Sequence, residues 1–407
     1  MTTIYTLTSS LHDHAAVEAA TRSFLEPLSI DYKYAGDDFS TYGKSGGLEL
    51  IFVRTGGTEG LFLQKFPSLP KGGTFYLLAS GTSNSLAASM EILSFLTQQG
   101  LKGEILHGST EYLRDRIATL EKVTAAKAFL NGKRLGVVGE PSDWLISSGC
   151  DRKAVLDKAG IEVLDIPMSE LLAEFEKLSP DSTAELEKVP CREGTLEKVK
   201  SSLEGADRIY RALKELIWRY KLDGLTLRCF DLLTSVGNTG CLALARLNSE
   251  GYVATCEGDI PAMLSMLFAR ALTGGSGFQC NPSRMDPSKG EIVFAHCTLP
   301  LSMARSYSFD THFESGIGVG IHGEIPEGPV TLFKLSGDLG RHFAASASLE
   351  ANSYELNLCR TQVLIRLDEP RLIGDYFLKK PIGNHHILLS GDHAAALCAL
   401  CALCEAL

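Results

Sequence analysis

No stretch of this chain gathers enough lysine and arginine to cover a polyanion. Acidic residues outnumber basic ones, 49 to 39, for a formal net charge of −10. Its local basic features are no more than pairs, such as Arg152-Lys153 and Lys379-Lys380. Phosphate recognition needs clustered cations, so no nucleic-acid partner is expected. A membrane-spanning run is also missing: the longest apolar stretch, residues 394–404, falls far short of the ~20 residues a span requires. The N-terminal residues lack both a basic segment and a long apolar segment, so no signal peptide and a cytoplasmic location are expected. Neither of the glycine-containing turns at 81–83 and 139–143 carries a phosphate fingerprint, which argues against a nucleotide cofactor. Cysteine is not scarce, but its eleven copies fall at irregular spacings and in odd number, a pattern of reduced thiols rather than a disulfide framework. Cys398, Cys401 and Cys404 recur every third position in an Ala/Leu helix without a fourth partner, and read as small packing residues.

What remains is an ordinary globular composition, 44% hydrophobic, in a chain of 407 residues, long enough for two or three domains. The short apolar runs at 4–8, 48–53 and 75–79 read as buried strands, and residues 83–99 read as a helix closed by Gly100. Alternation of this kind predicts a parallel sheet covered by helices. A second such unit begins at residues 134–139 and includes a long amphipathic helix over 193–221 and a strand at 225–230. Residues 178–193 read as a flexible surface excursion. Beyond 273 the texture changes to short β-like runs, such as 292–295, 330–335 and 362–367, separated by turn residues. The expected fold is α/β, with two N-terminal doubly wound (Rossmann-like) domains and a C-terminal β-rich domain ending in a helix. The expected boundaries are 1–131, 132–272 and 273–407.

Chemistry concentrates at Cys256-Glu257-Gly258-Asp259, where an apolar strand passes into a helix. Asp259 suits the start of that helix, where the macrodipole favours an acid. Glu257, before a glycine, is placed to face a cleft. Seven of the ten histidines lie downstream, among them His296, His312, His385, His386 and His393. Carboxylate and imidazole ligands suit Mn²⁺, Fe²⁺, Co²⁺ or Zn²⁺, so a divalent-metal site built from distant segments is expected. The adjacent pair His385-His386 in a glycine-flanked turn is the most specific histidine signal. His296 follows an apolar strand, and His312 shares an extended segment with Glu314; each has an equally plain structural reading.

Taken in order, Asn84 through Glu91, Gly136 through Trp144, Leu227 through Phe230, Cys256 through Asp259, Ala295-His296-Cys297 and Gly383 through His386 resemble the L-fucose/L-arabinose isomerase superfamily, most closely its shorter fucose-isomerase-like members. The resemblance spans nearly the whole chain, and the Cys256–Asp259 element is its most specific part. It implies a trimeric or hexameric homo-oligomer and Mn²⁺-dependent interconversion of an aldose and a ketose through a cis-enediolate, on a deoxy or modified sugar. It implies Glu257 as metal ligand and catalytic carboxylate. His386 resembles the family's C-terminal histidine ligand, with His385 the alternative one residue away. His296 matches a histidine of the arabinose-isomerase branch. His385 and His312 are expected to contact the sugar. One position departs: where the fucose-isomerase pattern carries a metal-binding aspartate, this chain has Asn281, which brings an amide oxygen without charge or basicity. Asp286 is the nearest acid that a rearranged loop would offer. The departure opens two further expectations, a catalytically degenerate sugar-binding protein and a metal-dependent epimerase or lyase on a related sugar.

Overall fold

The computed structural model describes residues 1–405. The chain divides into two compact units, Met1–Ala128 with Ala402–Leu407, and Phe129–Cys401. The expected boundary at 131/132 lies three residues past the limit between them. The one expected at 272/273 falls inside the second unit.

The first unit alternates strands and helices: β1 (Thr2–Leu7), α1 (His14–Leu25), β2 (Tyr32–Gly36), β3 (Glu49–Val53), α2 (Glu59–Lys65), β4 (Thr74–Ala79), α3 (Ser85–Gln98), β5 (Lys102–Leu106) and most of α4 (Thr110–Leu130). Its five strands are parallel in the order β2-β1-β3-β4-β5, a doubly wound arrangement. Ile4, Leu50, Ile51, Leu77 and Leu78 are inaccessible to solvent, as central strands covered on both faces require. The C-terminal residues join this unit: Lys102 donates to the Ala402 carbonyl at 3.3 Å and Lys127 to that of Leu403 at 2.7 Å.

The second unit opens with β6 (Arg134–Val138), α5 (Arg152–Ala159), β7 (Glu162–Ile166), α6 (Met168–Lys177), the short α7 (Ala184–Glu187), α8 (Leu196–Tyr220), β8 (Gly224–Leu227), α9 (Asp231–Ser235), α10 (Cys241–Ser249), β9 (Val253–Cys256) and α11 (Ile260–Thr273). The strands form a parallel sheet in the order β7-β6-β8-β9. Helix α8 buries Val199, Leu203, Ala206, Ile209, Leu213 and Leu216, a stripe at three- and four-residue spacing that faces the core. The 178–193 segment, expected as a surface excursion, contains α7 and a bridge from Cys191 to Phe309.

The remainder is antiparallel: β10 (Phe278–Asp286), β11 (Glu291–His296), β12 (Ser306–Asp310), β13 (Gly320–Glu324), β14 (Gly328–Leu335), β15 (His342–Ser353), β16 (Thr361–Leu367) and β17 (His386–Ser390), followed by α12 (Ala394–Cys404). Six strands close into a barrel in the order β10-β11-β16-β15-β14-β17, and β12 pairs with β13 alongside. The fold is therefore mixed α/β with Rossmann-like parallel sheets and a C-terminal antiparallel β-barrel. Helix α11 is buried from Ile260 through Ala269, packed on β9 at the sheet and on β14 and β17 of the barrel. A helix apolar on every side is what that position demands, and each of its large side chains contributes about 2 kcal/mol of burial. Among the described residues, no helix is long and apolar enough to cross a membrane. In α12, Cys401 and Cys404 are buried and Cys398 is half-buried, as packing residues would be.

Candidate metal centre

The C-terminal ends of parallel strands are where doubly wound sheets place ligands. At the end of β9 the backbone turns sharply, with both Glu257 (φ +67°) and Gly258 (φ +68°) left-handed. Only glycine fits the second position, since a Cβ there would lie 2.6 Å from the Glu140 carbonyl oxygen. A glutamate in the first position costs ~1–2 kcal/mol, and the surroundings hold it there. The Ser142 amide donates to the Glu257 carbonyl at 2.9 Å, and the Gly258 amide to that of Leu227 at 3.1 Å. The Gln279 side chain from β10 accepts from the Cys256 amide at 2.7 Å, tying the end of β9 to the barrel.

This turn aims the Glu257 carboxylate at two imidazoles from the barrel. Oε1 lies 3.4 Å from His385 Nε2 and 4.0 Å from His296 Nε2. One ligand atom from each of the three side chains lies within 4.8 Å of the others, and all three residues are buried. The His296 and His385 rings are 5.4 Å apart, nearly edge to face. Each imidazole is oriented through its other nitrogen. His385 Nδ1 donates to Asp259 Oδ2 at 2.8 Å, and His296 Nδ1 pairs with the Thr298 hydroxyl at 2.9 Å.

Asp259 has two duties. Oδ1 accepts from the Ala262 amide at 2.8 Å and caps α11, while Oδ2 holds His385. Lys334, next to the C-terminal end of the largely apolar strand β14, is wholly buried, with Nζ 3.5 Å from Asp259 Oδ2. Burial pushes the lysine toward neutrality and Asp259 opposes it. Burial likewise resists ionisation of Asp259, yet Lys334 and His385 hold its pKa well below the usual carboxylate range. For Glu257 burial is again outweighed, chiefly by His385, and the pKa falls to about 2. Burial opposes charge on His385, but Asp259 and Glu257 overcome it and raise the pKa to about 9. His296 has less compensation, and burial lowers it to about 3.

These donors fit a divalent cation. The Nε2 atom of His385 is buried beside a carboxylate and has no hydrogen-bond partner. Since Asp259 fixes the proton on Nδ1, the Nε2 lone pair is the one available in the neutral ring. Imidazoles whose second nitrogen is held by an oxygen are typical of metal ligands, and two nitrogens with one carboxylate oxygen suit first-row divalent ions.

Of the residues expected from sequence, the structure brings together Glu257, His296 and His385. His386 lies on the opposite side of the chain, because side chains alternate along an extended strand. Its ring enters the barrel against Phe294, Phe343, Tyr376 and Phe377. There Nδ1 donates to the Asn384 carbonyl at 2.9 Å and Nε2 accepts from the Tyr376 hydroxyl at 3.0 Å, so both ring nitrogens are engaged. Asn281 accepts from the Asn384 side chain at 3.0 Å and so braces the turn that carries His385. Asp286 stands at the far end of β10, ~16 Å along the strand at 3.3 Å per residue, where it accepts from Ser288. His312 is buried near the group, with Nδ1 3.0 Å from the Ser315 hydroxyl, and burial lowers its pKa to about 4.

Sequence reasoning passed over Lys334 and the reach of Trp144. The indole Nε1 of Trp144 donates to Glu257 Oε2 at 2.6 Å. A lone lysine within residues 330–335, otherwise a buried apolar run, was the available signal for the first. The signal for the second was a tryptophan in the turn after β6.

No protein-family model matches the chain. It is similar to two curated proteins, the sulfoquinovose isomerases of Priestia aryabhattai and of Priestia megaterium. Each is 25% identical over 231 residues, which are 55% of this chain and 52% of the relative. The chain thus matches about half the length of these relatives.

Proposed function

We propose that the protein is a divalent-metal-dependent aldose–ketose isomerase acting on a deoxy or otherwise modified sugar. The observation that carries this reading is the buried His385 Nε2, which makes no hydrogen bond and faces Glu257 Oε1 at 3.4 Å, with His296 alongside. In this reading Glu257, His296 and His385 hold the ion, with Mn²⁺ the leading candidate, and His386 keeps its place in the barrel interior. When bound, the ion supplies Lewis acidity toward the neighbouring hydroxyl and carbonyl oxygens of the sugar. Glu257 is the base that removes the proton beside the carbonyl. Its low pKa keeps it ionised at neutral pH, and Trp144 fixes its second oxygen. Asp259 keeps His385 in the tautomer that presents Nε2. The relatives' name, sulfoquinovose isomerase, supports the reaction class and suggests a sulfo-substituted sugar as the first substrate to try. The oligomeric state follows from the family resemblance alone and is part of the proposal.

The test is proton exchange at the sugar carbon next to the carbonyl, followed by NMR in deuterated water with and without Mn²⁺. Metal-dependent exchange that disappears in Glu257→Gln is the expected result. A purified protein that binds no divalent ion sinks the reading.

A second reading, a degenerate sugar-binding protein, rests on the uncharged Asn281 and on its bond to Asn384. Turnover appearing in Asn281→Asp where the natural protein has none favours it. Activity in the natural protein that Asn281→Asp damages makes Asn281 an adaptation to the substrate.

A further inference from the structure

We propose that Trp144 is the sugar-stacking residue of this site, presenting its indole face to the substrate while its N–H holds the catalytic carboxylate. The assignment rests on the isomerase reading above and adds a substrate contact to it.

Trp144 is 52% exposed, one of the largest apolar side chains left in water on this protein. Exposure of one large apolar residue is common, but this one is not loosely held. Its Nε1–H is committed to Glu257 Oε2 at 2.6 Å. Its ring meets Phe230 edge-on at 4.9 Å, and Phe230 meets His312 edge-on at 5.5 Å. The loop beneath it is pinned at several points. The Ser142 amide donates to the Glu257 carbonyl at 2.9 Å, and Arg228 donates to the Pro141 carbonyl at 2.8 Å and to Asp143 at 3.1 Å. An indole fixed at its polar edge, supported by an aromatic edge and half open to solvent, offers a preorganised apolar face directly beside the metal group. Sugars carry their apolar C–H bonds on the faces of the ring, and an aromatic face is the surface that desolvates them. Preorganisation means that little ordering entropy opposes the contact.

The residue also reports on itself. The chain has two tryptophans, and the other, Trp218, is 79% exposed on α8. In a Trp218→Phe background, Trp144 is the sole indole. Mn²⁺ alone is expected to change its emission intensity, because the carboxylate that accepts its N–H is a ligand. Sulfoquinovose, or the same sugar without its sulfo group, added to the Mn²⁺-loaded protein is expected to shift the emission to the blue as the face is covered. Trp144→Phe keeps a ring and Trp144→Ala removes it. Calorimetry should show sugar affinity falling about tenfold in the first and about a hundredfold in the second, as loss of a buried aromatic contact implies. Unchanged sugar affinity in Trp144→Ala overturns the assignment and leaves the isomerase reading intact. A natural protein that binds neither metal nor sugar overturns both.

Discussion

The two parallel sheets make an instructive pair. Both are doubly wound, yet their C-terminal edges carry different chemistry. At the first sheet the turns after β1, β3 and β4 are built from Ser9, Thr55, Gly56, Ser80 and Ser83, and these groups close on one another. The Ser9 amide donates to the Thr55 hydroxyl at 3.0 Å, the Gly56 amide to the Ser83 carbonyl at 2.7 Å, and the Ser80 amide to the Ser85 hydroxyl at 2.9 Å. The strongest charge there, Arg54, is satisfied by Thr8, Tyr34 and Glu18. At the second sheet the corresponding turns present Trp144, Arg228 and Glu257, and the barrel packed against them adds His296 and His385. Strand order fixes where an edge lies. Which side chains are left reactive there depends on what the next layer brings.

That contrast sets out what to break. The largest effect is expected from Glu257→Gln, which removes the proposed base and anionic ligand together. Turnover should fall about a thousandfold, and calorimetric titration with Mn²⁺ should show the affinity collapsing as well. Asp259→Asn should follow, weakening Mn²⁺ binding by ~10–100-fold through loss of the charged partner that orients His385. Full affinity in that variant would show that His385 is aimed by packing alone. Arg54→Ala, at the first sheet, should destabilise the protein by about 2 kcal/mol, discounted because Glu18 is partly exposed. It should leave Mn²⁺ affinity unchanged, and a change would mean that the two edges are not independent.

The smallest effect is in pH. In the metal-free protein the pKa of His385 is raised to about 9. Its stabilisation is therefore complete below its unfolded value near 6.5 and is lost as pH rises through 9. Glu257, held down at about 2, contributes the opposite way, with stability lost as pH falls below its ordinary range toward 2. Melting curves between pH 6 and 9 should thus show a declining Tm in the presence of a chelator. On the proposed reading Mn²⁺ would compete with the proton for His385 Nε2, so metal should flatten or reverse the decline. Equal slopes with and without Mn²⁺ would separate His385 from the metal.

Much of the architecture was legible because periodicity survives tertiary context. The helix expected over 193–221 is α8, at Leu196–Tyr220, and the runs at 292–295, 330–335 and 362–367 lie in β11, β14 and β16. Asp259 as the acid that begins α11 was legible too, since a cap is a local event. The histidine register was not. His385 and His386 differ by one residue, and that difference sends one ring toward Glu257 and the other into the aromatic interior of the barrel. Sequence alone does not say which face of β17 is inside. Lys334 escaped for a related reason: its burial is explained only by Asp259, which is 75 residues away along the chain. The left-handed backbone at Glu257 was also invisible, because glycine marks such positions and here glycine occupies only the next one.

Lys334 has a consequence for the electrical state of the centre. Were Lys334 and His385 both protonated beside an ionised Asp259 and Glu257, the group would be electroneutral, an arrangement a buried site tolerates. Exchange of the His385 proton for a dication would leave a surplus of one positive charge. That surplus would be open to compensation by an oxyanion from outside. Without the lysine the exchanged group would be neutral again and would have no such preference. A cation set behind Asp259 would thus bias the site toward a guest that can become negatively charged.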